Sequence, residues 1–210
     1  MKAAQSRSFM YRIFGAYLAF PTLENWEGSL NHSRAILFAG VDSELPYQWS
    51  FTAPEFDPGL NLEDLNTLFT ANFDTGTASV SLHGRSYSSA GDQKTLEELF
   101  RFYEYFGLDF TSSTNDFWPD AMQVQLEFMH YLTHLEGLAG DAAKLEIIRA
   151  QRDFLKRQLG PLVMGINTLL IEKEVPVYTA LVASLTEFVE AESDYLNEMI
   201  GDQISLKEVC

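Results

Sequence analysis

The segment Asn115–Glu136 constrains the fold more than any other part of this 210-residue chain. Its apolar side chains recur at steps of three and four, at Met122, Leu126, Met129, Leu132 and Leu135. This spacing places them on one face of an amphipathic α-helix, which we predict over 117–138. Pro119 suits the first turn of such a helix, and the carboxylate of Asp120 suits its positive N-terminal end.

Similar patterns recur along most of the chain, whereas the alternation of apolar and polar residues that is typical of strands is scarce. The predicted helices cover about residues 3–20, 22–39, 61–73, 95–106, 117–138, 142–159, 161–173 and 177–200. Prolines between 41 and 59, and glycine, serine and threonine between 74 and 91, indicate two loops. The sequence therefore predicts an all-α fold, a single globular helical bundle.

The predicted helices divide into two halves of one domain that covers the whole chain, 1–210. Residues 1–106 form the N-terminal half, 107–116 a hinge, and 117–210 the C-terminal half. A hinge of this kind allows two protomers to exchange their C-terminal halves. We therefore expect a monomer to dominate, with a domain-swapped dimer as a minor species.

Charge and composition exclude several classes of function. The 30 acidic and 14 basic side chains give a formal net charge of -16, which repels the phosphates of a nucleic acid, so we expect no nucleic-acid partner. The same charge fits either simple solubility or a cationic peptide partner. The sole cysteine, Cys210, excludes an internal disulfide and fits a reducing cytoplasm. No apolar run approaches the ~20 residues that span a bilayer, so we expect no stable membrane insertion.

Glu127, His130 and His134 have the spacing of metal ligands on one helix face. A di-iron site needs a second Glu-x-x-His motif. The chain lacks one, because the residues three positions before His32 and His83 are Ser29 and Val80. Two interpretations of Glu127, His130 and His134 remain open. They bind a zinc ion in a small metal-dependent enzyme, or they form the polar edge of a helix. We expect no metal ligand and no catalytic residue. Glycine motifs for phosphates and the Gly-x-Ser-x-Gly elbow are absent.

Four segments carry a family resemblance. They are YRIFGAYLAFPT (Tyr11–Thr22), LEELFRFYEYFGL (Leu96–Leu108), WPDAMQVQLEFMHYL (Trp118–Leu132) and AQRDFLKRQL (Ala150–Leu159). In these segments the chain resembles the TorD/DmsD/NarJ-type redox-enzyme maturation chaperones, most of all the branch that serves type II molybdoenzymes of the dimethyl-sulfoxide-reductase family. It departs from that family at Ala121 and Gln158, where relatives have histidine, and at Leu82 and His83, where an aromatic-acidic pair is common.

The resemblance implies a non-catalytic, cytoplasmic, TorD-like helical protein with no cofactor of its own. Its partner would be the catalytic subunit of a molybdenum-cofactor oxidoreductase, held by its twin-arginine signal peptide or in its apo form until the molybdenum cofactor is inserted before export. Carried over residue by residue, the resemblance assigns peptide binding to Asp120, Pro119 and Trp118, with Gly84 and Tyr87 in a facing loop. A scaffold that binds a folded partner subunit is a further alternative.

Overall fold

The computed structural model of the protein describes residues 2–25, 44–49, 61–74, 79–109 and 118–208, and these residues are largely helical. Seven α-helices lie wholly within these ranges: α1 (Lys2–Tyr17), α2 (Leu62–Phe69), α3 (Asp92–Tyr105), α4 (Met122–Leu138), α5 (Asp141–Phe154), α6 (Gly160–Lys173) and α7 (Tyr178–Glu208). A 3-10 helix covers Gly84–Tyr87, and π-helical turns follow α2 and α5. The only β pairing in this part of the chain is one isolated bridge. The predicted all-α fold is confirmed.

Six of the helices begin within three residues of the predicted positions, and α4 does not. Most of the predicted helix 22–39 lies outside the described residues, as do residues 110–116 of the predicted hinge. α7 continues past the predicted end at 200 as far as Glu208. None of the helices in the described ranges has the length and apolar character that a membrane span requires.

The predicted start of α4 is wrong. Pro119 and Asp120 lie in a turn before the helix, which begins at Met122 with Ala121 in extended backbone as its cap. The cause is a tertiary contact, because the backbone N–H of Met122 donates to the carbonyl oxygen of Leu82 at 2.8 Å. The loop before α3 therefore holds the chain out of the helix until that residue.

The N-terminal helix α1 packs antiparallel to α4. A Cβ atom on Gly137, near the end of α4, would lie 3.7 Å from the Cβ of Ala4, and one on Gly15 would lie 3.8 Å from the Cβ of Leu126. α4 also contacts α5, and α7 packs against both α5 and α6. α1 is thus packed against a helix of the predicted C-terminal half, and the division into halves at 107–116 stays a prediction.

A buried charged network joins α1, α4, α5 and α7. The guanidinium of Arg7, which has no exposed surface, donates to Glu136 at 2.7 Å, to Gln151 at 2.6 Å and to Glu192 at 2.6 and 2.9 Å. Two hydroxyl groups also donate to Glu192, those of Tyr11 and Tyr47. Burial alone would lower the pKa of Arg7, but the charges of Glu192 and Glu136 raise it well above its usual range. Arg7 therefore stays charged, and its hydrogen bonds fix how these helices meet.

Candidate functional site

The turn before α4 and the 3-10 helix Gly84–Tyr87 meet to form one site. Two backbone hydrogen bonds join them, from the N–H of Gly84 to the carbonyl oxygen of Asp120 and from the N–H of Met122 to that of Leu82, both at 2.8 Å. Residues far apart in the sequence are thereby brought into contact, as the resemblance predicts for Gly84 and Asp120.

The carboxylate of Asp120 is fully buried at the centre of this site. Arg85 donates to it from Nε at 2.8 Å, from Nη2 at 2.7 Å and from its backbone N–H at 3.1 Å. Nδ1 of His83 lies 3.3 Å from Oδ1. Burial alone would raise the pKa of Asp120, but the hydrogen bonds from His83 and Arg85 and the charge of Arg85 lower it below its usual range. Asp120 is therefore an anion with several partners inside the protein.

An exposed indole ring covers this ion pair. Trp118 is 58% exposed, and Cζ of Arg85 lies 4.6 Å from the centre of its ring, a cation–π contact. The Arg85 side chain retains 24% of its surface, so its guanidinium is the outer member of the pair with Asp120. Sequence reasoning missed Arg85. Its position next to Gly84, in a loop expected to face a carboxylate, is the signal that could have found it.

Two of the predicted site residues are buried supports. The carbonyl oxygen of Pro119 accepts a hydrogen bond from the hydroxyl of Tyr103 at 2.7 Å. A Cβ atom on Gly84 would lie 2.8 Å from Nε2 of Gln125, whose amide donates to the backbone of Asp120. Of the predicted site residues only Trp118 is exposed. Pro119 and Gly84 therefore shape the site from beneath.

Tyr87 faces α6 and lies away from the ion pair. Its hydroxyl donates to the carbonyl oxygen of Ser81 at 2.8 Å, and its ring packs over Gly165. Burial raises the pKa of Tyr87 to about 12, so the hydroxyl stays protonated. The ring also borders a cleft of about 290 Å³, whose lining includes Glu98 and Arg157. Tyr87 therefore connects the site to α6.

We expect Gly165→Ala to destabilise the protein by about 1 to 3 kcal/mol, although alanine is normally the better helix former. A Cβ atom at this position would overlap with Cδ1 of the Tyr87 ring, so the ring or α6 must move. Gly201→Ala in α7 is the matched control, because a Cβ atom there would meet no atom within 4 Å among the residues that the structure describes. Urea unfolding of both variants tests the contact. Equal stability of Gly165→Ala and the wild type would contradict it.

The alternative set of metal ligands, Glu127, His130 and His134, lies elsewhere, on α4. Nδ1 of His130 is 2.8 Å from both the carbonyl oxygen and the hydroxyl of Ser8, while Glu127 and His134 are exposed. Glu127 and His130 border a second cleft, of about 560 Å³, between α1 and α4. Across the described ranges, no three side chains are grouped as metal ligands.

Comparison with known proteins identifies relatives of this chain. Residues 53–164 match the nitrate reductase delta subunit family. The chain is 34% identical to the selenate reductase assembly chaperone protein of Thauera selenatis, over 68% of this chain and 75% of that protein. It is 32% identical to the chlorate reductase assembly chaperone protein of Ideonella dechloratans, over 70% and 76%. It is 29% identical to the perchlorate reductase assembly chaperone protein of Dechloromonas aromatica, over 93% and 90%.

The fold also has a solved counterpart. A candidate redox enzyme maturation protein from Archaeoglobus fulgidus superposes with a TM-score of 0.55 over 88% of this chain and 93% of that one. At 15% identity this likeness shows the fold alone. The family match covers more than half of the 210 residues, and it contains the 3-10 helix and the turn before α4. The chain therefore belongs to the nitrate reductase delta subunit family, within the TorD/DmsD/NarJ-type redox-enzyme maturation chaperones.

Proposed function

We propose that this protein is a cytoplasmic assembly chaperone for the catalytic subunit of a molybdenum-cofactor oxidoreductase. It binds the twin-arginine signal peptide, or the apo form, of that subunit and assists insertion of the molybdenum cofactor before export. The relatives that are named assembly chaperones support the chaperone role, and none of them is named as an enzyme. The observation that carries the peptide part is the exposed indole of Trp118 above a buried carboxylate, in the segment that resembles the family's peptide-binding loop.

The surface around the site suits a peptide that joins a cationic segment to an apolar one. The net charge of -16 attracts cationic segments over several ångströms before contact. Apolar surface is supplied by Trp118 and by Met164 on α6, each 58% exposed. Met164 directly precedes Gly165, where the ring of Tyr87 packs. We therefore propose Asp120, Pro119, Trp118, Gly84 and Tyr87 as the peptide-binding site.

We expect a synthetic peptide with two consecutive arginines and an apolar continuation to bind with micromolar affinity, about -8 kcal/mol. Raising the salt concentration should weaken binding, because it screens the attraction between arginine and carboxylate. Titration calorimetry at low and high salt measures both effects. The matched control is the same peptide with Ala-Ala in place of Arg-Arg. Equal affinity for the two peptides would contradict the electrostatic part of the proposal.

Purification of the tagged protein from its native host separates the remaining alternatives. The proposed function predicts that the captured catalytic subunit begins with a twin-arginine signal, and that its removal abolishes capture. A scaffold for a folded partner would retain the mature subunit without that signal. A metal-dependent enzyme would carry one equivalent of zinc or iron, lost in His130→Ala together with a measurable activity.

A further inference from the structure

We propose that Asp120 and Trp118 form a binding site for a guanidinium group, which Arg85 occupies in the free protein and which an arginine of the client takes over on binding. The identity of the incoming group rests on the proposed function. That Arg85 occupies the site in the free protein rests on the geometry alone. Arg85 is thus an internal competitor of the client, and its displacement is part of recognition.

The contacts of Arg85 are those that a bound arginine makes. Nε and Nη2 donate in parallel to the two oxygens of Asp120, at 2.8 and 2.7 Å, which is the paired arrangement specific to guanidinium. The centre of the Trp118 ring lies 4.6 Å from Cζ. A carboxylate below and an aromatic ring beside it define a receptor for this group and not for an ammonium, which has no planar fork.

Exchange of one guanidinium for another avoids the main cost of opening the site. A buried carboxylate without a cation is strongly unfavourable, but an incoming arginine keeps Asp120 paired throughout. The backbone N–H of Arg85, at 3.1 Å, and His83, at 3.3 Å, do not depend on the Arg85 side chain and continue to orient the carboxylate. The Arg85 side chain is already partly exposed.

Internal occupation has a measurable consequence for affinity. If Arg85 fills the site for about nine tenths of the time, the apparent affinity for an external arginine falls about tenfold. Removing the Arg85 side chain should therefore strengthen binding of an arginine peptide, whereas removal of an ordinary binding residue weakens it. This opposite sign separates internal competition from a direct contact between Arg85 and the client.

The first test uses the full-length protein and the methylguanidinium ion as the probe. We expect methylguanidinium chloride to raise the melting temperature of Arg85→Ala relative to methylammonium chloride at the same non-denaturing concentration. The wild type should show no such difference. Arg152→Ala is the matched control, because Arg152 pairs with Asp153 at 2.7 Å on a partly exposed surface, outside this site. Equal effects of the two ions on Arg85→Ala would overturn the guanidinium site.

The second test is calorimetry with the Arg-Arg peptide and a Lys-Lys counterpart. We expect Arg85→Ala to bind the Arg-Arg peptide about tenfold more tightly than the wild type does, with no gain for Lys-Lys. Arg85→Lys covers the case in which Arg85→Ala does not fold, since lysine keeps a cation beside Asp120 but competes less well. It should also bind more tightly.

The outcomes separate this inference from the proposed function. Unchanged or weaker binding of the Arg-Arg peptide by the Arg85 variants, with normal binding by the wild type, overturns internal competition and leaves the chaperone role intact. Failure of the peptide to bind any of these proteins, while methylguanidinium stabilises Arg85→Ala, overturns the client part and retains the guanidinium site.

Discussion

Arg7→Ala is expected to destabilise the protein by about 3 to 5 kcal/mol, which is a large share of the roughly 5 to 15 kcal/mol that separates most native domains from their unfolded states. The substitution leaves the buried carboxylates of Glu136 and Glu192 without the guanidinium that both now contact. Two buried carboxylates then lie close together without a cation to pair with, which is strongly unfavourable. Urea unfolding followed by circular dichroism measures the loss.

Two variants show whether burial causes this effect. Arg152→Ala removes an arginine from a partly exposed pair with Asp153, and it should cost less than about 1 kcal/mol. Arg7→Lys keeps a cation in the network but cannot serve Glu136, Gln151 and Glu192 at once, so its stability should fall between those of Arg7→Ala and the wild type. A loss below about 1 kcal/mol in Arg7→Ala would show that the network contributes little net stability.

Asp120→Asn is expected to lower stability by about 1.5 to 3 kcal/mol and to weaken binding of the Arg-Arg peptide about tenfold or more. The amide keeps the size of the side chain but removes the charge that the two hydrogen bonds from Arg85 require. The charge-assisted contact with a client arginine would be lost for the same reason. Melting temperature and peptide affinity, measured on the same preparation, test both effects.

The pH dependence of stability in wild type and Asp120→Asn shows whether the negative charge of Asp120 causes the loss of stability. The pKa of Asp120 is lower in the folded protein than in the unfolded chain, so its ionisation stabilises the fold above the unfolded value of about 4. This contribution is lost as the pH falls through the lower, folded value. The stability difference between wild type and Asp120→Asn should therefore shrink below about pH 4.

Unchanged peptide affinity in Asp120→Asn would show that Asp120 only holds Arg85 in place, and it would refute the role of Asp120 in peptide binding.

The periodicity of apolar residues was sufficient to predict the seven helices that the structure describes, because the apolar face of each helix is the face that becomes buried. It could not predict where α4 begins, since that boundary depends on a hydrogen bond from Met122 to Leu82, in a different loop. The buried charged network around Arg7 could not be predicted from the sequence either. Arg7 lies 129 residues from Glu136 and 185 from Glu192, and each reads as an ordinary surface charge in its own helix.

The site was partly predictable. The resemblance indicated that the segment at Trp118–Asp120 faces the loop at Gly84, and the structure joins them through a backbone hydrogen bond. What it could not indicate is that the carboxylate of Asp120 already has a partner. Arg85 is one of 14 basic residues in the chain, and only its tertiary position distinguishes it from the others. The role of the five assigned residues in peptide binding stays a prediction.

The position of Arg7 also sets the order of events during synthesis. Its partner Glu192 leaves the ribosome 185 residues later, and until then α1 can form as a helix but cannot complete the contacts that bury its arginine. An incomplete chain thus carries a cation on the face of α1 that should become core. α7 is therefore the helix that completes the buried network, and a nascent chain that stops before α7 should remain accessible to proteases in α1.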